Sequence, residues 1–273
     1  GSNEVDSNIA IGYNALLGGA FGSNDYDLLG NIAIGHEALK TEDIGDFSTA
    51  IGYQALLKQN SDSNNETTGN TALGTQSGYF NVTGQNNTYL GYRAGQGADG
   101  ESNGSNTAVG YNSLLSIETG SENTVFGAGV ADAITDGHDN IIIGSGAGTA
   151  TTSVGYTVII GRAAGQANLT ADADGTVAIG YQSLNALTSG IGNVAVGYQA
   201  GASQVTTGYN TYIGHTAGTG NTGQANTAVG FGALRDTGTV DIDGCVAIGY
   251  LALAQADSAY DDSQVAIGTS ALQ

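Results

Sequence analysis

Apolar and polar positions along this chain recur in one short phrase, first met as Asn8-Ile9-Ala10-Ile11-Gly12-Tyr13-Asn14-Ala15-Leu16. Aligned on its central glycine, the phrase occurs fifteen times, at Gly12, Gly35, Gly52, Gly74, Gly91, Gly110, Gly127, Gly144, Gly161, Gly180, Gly197, Gly214, Gly230, Gly249 and Gly268. Most copies lie 16 to 19 residues apart, with gaps of 23 after Gly12 and 22 after Gly52. A fixed short period predicts a solenoid that grows by adding rungs. The residue three before each glycine is always β-branched, and the residue one before is Ile, Val, Leu or, once, Phe126. Residues two apart in a strand share a face. These columns therefore predict a three-residue strand whose large side chains turn into the solenoid interior. The residue between them is Ala in ten copies, with Tyr89, Val125, Ile142, Ile159 and Tyr212 as exceptions. That small column is expected to face outward, where another chain approaches closely.

The glycine column predicts a corner that needs either a backbone conformation closed to other residues or close contact. After it comes an aromatic or polar residue, often Tyr, and then an Ala-Leu or Ala-Gly return with Ala and Leu inside. Asn fills ten of the fifteen places four residues before the glycine, which predicts a ladder of amides that closes turns. The rest of each period is Gly, Asn, Ser, Thr and Asp, the material of turns. The two long gaps predict projecting loops at 17–30 and 57–69. The fold class is thus all-β: a β-solenoid, or β-roll, of about fifteen rungs of 16–23 residues. Residues 1–7 form a lead-in that begins with a Gly-Ser resembling a tag scar, and 8–273 form a single repeat domain. A repeat that runs nearly end to end suggests a fragment of a longer protein.

Composition narrows the partners. The net charge is −20, with only Lys40, Lys58, Arg93, Arg162 and Arg235 as cations. That disfavours nucleic acid and anionic membrane, and suits solubility and possible divalent cations. No run of 18 apolar residues is present, so no membrane insertion is expected. The absence of proline suits uninterrupted ladders. The lone cysteine, Cys245, occupies a slot usually held by Asn and reads as structural drift.

The phrases Asn70-Thr71-Ala72-Leu73-Gly74, Asn106-Thr107-Ala108-Val109-Gly110-Tyr111 and Asn193-Val194-Ala195-Val196-Gly197-Tyr198-Gln199-Ala200 resemble the repeats of phage tail-fibre and bacterial surface proteins. They are also similar to the Ala-Ile-Gly repeats in the heads of trimeric autotransporter adhesins, although the period here is longer. The resemblance covers essentially the whole chain. It implies a left-handed β-roll in each chain, three chains intertwined or side by side as a parallel homotrimer, and a place on a virion tail fibre or at the cell surface. The outward Ala column suits such a trimer axis, so Ala10, Ala108, Ala195 and Ala228 are candidate trimer contacts.

Chemistry is sparse. His36 and His215 sit in the usual Tyr slot, and no His, including His138, has a partner at metal-ligand spacing. Gly144-Ser145-Gly146-Ala147-Gly148 lacks the Lys of a phosphate loop. No enzymatic activity and no cofactor are expected. Calcium is the exception to weigh, at Asp136 and Asp139, Asp172 and Asp174, or Asp241 and Asp243, although these turns lack the later Glu of an EF-hand. Tyr26, Tyr79, Phe80, Tyr209 and Tyr260 are candidate glycan platforms. The expected function is a structural and receptor-binding fibre segment that attaches to a host or surface glycan through many weak sites. The alternatives are an ice-binding solenoid, whose Thr run Thr49, Thr71, Thr88, Thr107 and Thr124 is expected to be buried, and a glycan-processing β-helix enzyme.

Overall fold

The computed structural model describes residues 7–18, 28–61, 66–235, 242–255 and 262–272. The chain forms a parallel β-solenoid organised as two compact units, Gly1–Asp136 and Gly137–Gln273. In the first unit, seven strands stack in chain order: β1 (Ile9–Ile11), β2 (Ile32–Ile34), β4 (Thr49–Ile51), β6 (Thr71–Leu73), β7 (Thr88–Leu90), β8 (Thr107–Val109) and β9 (Thr124–Phe126). Two further strands, β3 (Gly45–Asp46) and β5 (Glu66–Thr67), pair beside them. The second unit stacks eight: β10 (Ile141–Ile143), β11 (Val158–Ile160), β12 (Val177–Ile179), β13 (Val194–Val196), β14 (Thr211–Ile213), β15 (Thr227–Val229), β16 (Val246–Ile248) and β17 (Val265–Ile267). The strands delimit about 13 turns. The one helical element among the described residues is the 3-10 turn Ala171–Ala173.

Register follows the repeat. Thr71 lies opposite Thr88, and Val177 opposite Val194, so each column of the alignment is a ladder in space. At the corner, the glycines have φ near +135°, and a Cβ on Gly12 would stand 2.4 Å from the Gly35 carbonyl oxygen. Both reasons for glycine therefore hold at once: a backbone region closed to other residues and a neighbouring rung too close for a side chain. The Asn ladder is also present. In successive rungs Asn87 N–H donates to Asn70 Oδ1 at 2.9 Å and Asn106 N–H to Asn87 Oδ1 at 2.9 Å. The same amides donate Nδ2–H onward, as Asn70 does to the Gly84 carbonyl at 2.7 Å. The buried amides of this ladder are thus satisfied rung to rung.

The inside and the outside are the reverse of the expectation. Ala33, Ala50, Ala72, Ala108, Ala178, Ala195, Ala228 and Ala247 are fully buried within the chain. The flanking β-branched and aliphatic columns face out: Leu73, Leu90, Phe126 and Ile267 are exposed, and the others are at least part-exposed. Ala108, Ala195 and Ala228 are accordingly not contacts on an outer face. Ala10 is exposed, but it belongs to the same inward column and lies on β1, which pairs with β2 alone in its sheet. Alternation fixes which residues share a face but not which face is inside, and here both faces are apolar. Space decides. The strand faces the Ala-Leu return across a narrow rung, and where the return carries Leu the strand carries only a methyl.

The five exceptions to the Ala column show the same packing rule. Tyr89, Ile142, Ile159 and Tyr212 are buried, and four residues after the corner their own rungs carry Gly95, Gly148, Gly165 and Gly218 in place of Leu. A Cβ on Gly95 would lie 2.2 Å from the Tyr89 ring, and one on Gly218 would lie 2.4 Å from the Tyr212 ring. Val125 is matched by the intermediate Ala131. The two columns therefore divide one volume, within a rung or, at Ala72 with Gly78 and Ala195 with Gly201, together with the Tyr of the next rung, in keeping with the density of protein interiors. The buried phenols are bonded: Tyr89 donates to Asn103 Oδ1, and the Tyr212 hydroxyl accepts from Gln204 Nε2 at 2.9 Å.

Candidate self-association face and exposed aromatic columns

The outer face of the strands is apolar in each unit. In the first unit it presents Ile9, Ile11, Leu73, Leu90 and Phe126 beside Thr71, Thr88 and Thr124; in the second, Ile141, Ile143, Ile213, Ile248, Val265 and Ile267. With a strand spacing of roughly 4.8 Å, the seven- and eight-strand stacks are about 29 and 34 Å long. No charged residue stands in either outward column. Parallel sheets are ordinarily covered on both faces, and contiguous exposed apolar surface marks an interaction site.

Across the glycine corner this face is bordered by rings. Tyr13, His36 and Tyr53 stack with centroids 5.2 Å apart, and Tyr92 stacks on Tyr111 at 5.5 Å. In the second unit Tyr181, Tyr198, His215, Phe231 and Tyr250 form one five-ring column with spacings of 4.7–5.3 Å. Two histidines thus lie inside aromatic stacks, where the Tyr slot had placed them. Offset stacking of rings adds modestly to each contact. Because neighbouring rings cover one another's faces, a column offers the solvent mainly ring edges.

The acids of the turns have a structural use that their spacing did not disclose. Six residues before the corner, Asp46 Oδ1 accepts from Leu29 N–H, Asp174 Oδ1 from Gly155 N–H and Asp243 Oδ1 from Gln224 N–H, each at 2.7 Å. Each carboxylate bonds the same position of the preceding rung, so two of the calcium candidates link rungs. Asp136 Oδ1 accepts from Thr135 Oγ1 at 3.2 Å, and Asp139 Oδ2 lies 3.0 Å from His138 Nδ1. Asp172 is exposed on the 3-10 turn, and Asp241 lies outside the described residues. Among the described residues no group of three His, Cys, Asp or Glu side chains converges on a metal position.

Of the glycan candidates, Tyr79 and Phe80 pack edge to face, centroids 4.5 Å apart, and are half-buried. Tyr209 is 65 % exposed, while Tyr26 and Tyr260 lie outside the described residues. Sequence reasoning missed two exposed aromatics in the same column as Tyr209, five before the corner: Phe47 and Tyr156. From Gly30 to Ser263 every residue of that column has a φ between +56° and +74°, a region costly for a bulky side chain. The run of Gly, Asn, Ser and Asp elsewhere in the column was the available signal. The described ends of the second long gap do not project. Gln59, Ser61 and Thr68 are buried around Glu42, whose carboxylate accepts from Gly45 N–H at 2.7 Å and Gln59 Nε2 at 2.8 Å. Most of the first gap, 19–27, lies outside the described residues.

Comparison of the chain with family models, curated proteins and solved structures returns no match.

Proposed function

We propose that this chain is a structural and receptor-binding segment of a homotrimeric attachment fibre, a phage tail fibre or a cell-surface adhesin, and that it works without catalysis, nucleic acid or membrane insertion. The observation that carries this reading is the uncharged apolar outer face of the parallel strands, which a second copy of the same surface would cover. The resemblance of the repeats to tail-fibre and adhesin-head sequences supports the setting, and a surface repeated rung after rung supports attachment by avidity to a surface glycan. The self-contact uses the outward Ile, Val, Leu and Thr columns with the aromatic column at their border. Sedimentation equilibrium tests it: the expected mass is three times the 27.1 kDa of one chain. A monodisperse monomer at micromolar concentration would overturn the assembly.

One observation favours a second reading. Thr71, Thr88 and Thr124 are exposed and Thr49 and Thr107 half-buried, in an in-register ladder beside an aliphatic one. A regular array of hydroxyls and methyls suits ordered water, as an ice-binding face requires. Thermal hysteresis with the chain monomeric would favour this reading over the fibre.

A further inference from the structure

Within the second unit, four residues follow one another along the column five before the corner: Tyr156, Gly175, Gly192 and Tyr209. They are consecutive rungs of one backbone ladder. Gly175 N–H donates to Gly155 O at 3.4 Å, Gly192 N–H to Asp174 O at 3.2 Å and Tyr209 N–H to Ile191 O at 2.9 Å. Two exposed tyrosines thus flank two rungs with no side chain. The Tyr209 ring leans back over the lower of its neighbours, since a Cβ on Gly192 would lie 3.5 Å from Tyr209 Cδ1. A Cβ on Gly175 would meet nothing within 4 Å, so that glycine is an open floor. Tyr156 bounds the floor on the other side and is itself braced edge-on by His138 at 5.0 Å. Along the backbone column Tyr156 and Gly192, the residue beneath the Tyr209 ring, stand two rungs apart, about 10 Å, and the Tyr156 ring lies toward His138 of the preceding rung, which widens the opening over the floor.

We propose that this notch binds a single uncharged pyranose ring, and this rests on the fibre reading above because it supplies the glycan-binding site that reading lacks. Ring faces with open space beside them suit the apolar C–H face of a sugar. The exposed carboxylate of Asp172 and that of Asp174 stand on the residues just before Gly175 and can accept sugar hydroxyls, which is where hydrogen bonds to a charged acceptor add strength. Those acids, in a chain of net charge −20, also set the class of sugar: sialylated and uronic residues are repelled. The stacked Tyr181–Tyr250 column does not serve as a sugar platform, because its faces are covered by each other.

The test is saturation-transfer NMR on the whole chain, with methyl glucoside, methyl galactoside, methyl mannoside and N-acetylglucosamine as neutral probes and sialyllactose as the anionic one. At least one neutral probe is expected to show transfer at millimolar concentration and sialyllactose none. Tyr209→Ala is expected to weaken binding roughly tenfold, about the value of one aromatic contact. Gly175→Asn fills the floor with a residue that tolerates the same backbone region, and it is expected to abolish transfer while leaving the melting curve unchanged. Phe47→Ala, outside the notch, is expected to leave binding intact. Absence of transfer from every neutral probe, transfer unaffected by Gly175→Asn, or equal binding of sialyllactose overturns the notch. Oligomeric mass measured on the same samples keeps the two readings apart. A trimer without sugar binding sinks only the notch, and a sugar-binding monomer sinks only the self-association.

Discussion

The two faces of the three-residue strand carry opposite lessons. Ala195 and Val196 are neighbours, both apolar, yet one is sealed inside its rung and the other looks outward. Inside, size is the constraint. Tyr89 and Tyr212 enter only where Gly95 and Gly218 vacate the return; elsewhere Ala faces Leu, except that Ala72 and Ala195 face Gly78 and Gly201, where an added Cβ would meet the Tyr of the next rung. Outside, size is free and polarity is the constraint: every outward position is β-branched, aliphatic or Phe126, and none is charged. A solvent face would tolerate Lys or Glu at some of fifteen copies. Their absence says that the outer face is filtered for apolarity as an interior is, while its variable size says that it is not packed within the chain.

The sharpest way to break this comparison is one substitution on each face. Ala195→Glu places a carboxylate in a closed rung with no partner, and the expected cost is about 4 kcal/mol or more, read as loss of the cooperative melt. Ile213→Glu, on the exposed face one rung on, is expected to leave the far-ultraviolet spectrum of the solenoid intact and, on the proposed self-association, to leave the chain a monomer. If Ala195→Glu instead folds and only dissociates, the Ala column is an interface after all.

The packing rule between columns is tested next. Tyr212→Ala empties a buried ring volume and is expected to cost about 3–5 kcal/mol in denaturant unfolding. Gly218→Leu alone drives a side chain into that ring. Together, the two changes recreate the Ala-Leu rung seen at Ala178 and Leu184, where Leu already holds φ near +45°. The double variant is therefore expected to be more stable than either single one, with a coupling of a few kcal/mol. Additive losses would show that the Gly at that position answers to backbone strain and not to the ring.

Most of the architecture was legible because the repeat repeats: strand positions, the glycine corner, the Asn ladder and the Ala-Leu return all follow from columns whose chemistry barely varies. The sign of the strand face was not legible, because hydrophobicity cannot separate two apolar faces. The signal that resolves it was present in the covariation of Tyr89 with Gly95 and of Tyr212 with Gly218 along the sequence. The notch was half legible. Tyr209 could be picked out as a loop aromatic, but its partnership with Tyr156 across two glycine rungs depends on the stacking of a turn column. The rung-linking carboxylates of Asp174 and Asp243 looked like metal ligands because an Asp followed by Gly is common to both uses.

A smaller effect separates buried from exposed phenols. Burial pushes the Tyr89 and Tyr212 hydroxyls well above the ordinary tyrosine range. Since the folded state then holds its protons more tightly than the unfolded chain, their contribution to stability is complete below about pH 10 and is lost as pH rises beyond it. In a spectrophotometric titration Tyr89 and Tyr212 should ionise only as the chain unfolds. A single reversible wave for all the tyrosines would place these two rings in contact with solvent.

The smallest expected effect concerns the one break in the amide ladder near the end of the chain. Cys245 stands in the Asn column. Its N–H still donates to Asn226 Oδ1 at 2.8 Å, but toward the next rung it offers sulfur, which receives Gln264 N–H at 3.3 Å. Sulfur is a weak acceptor beside an amide oxygen. Cys245→Asn restores the oxygen and adds an Nδ2 donor of the kind that Asn226 directs to Ile242 O at 2.6 Å. The expected gain is about 0.5–1 kcal/mol, a shift of a degree or two in the melt. Cys245→Ala should lose a similar amount by leaving the Gln264 amide without an acceptor. If both variants melt with the parent, the ladder at this rung contributes nothing to the stack and the Asn column sets turn geometry alone.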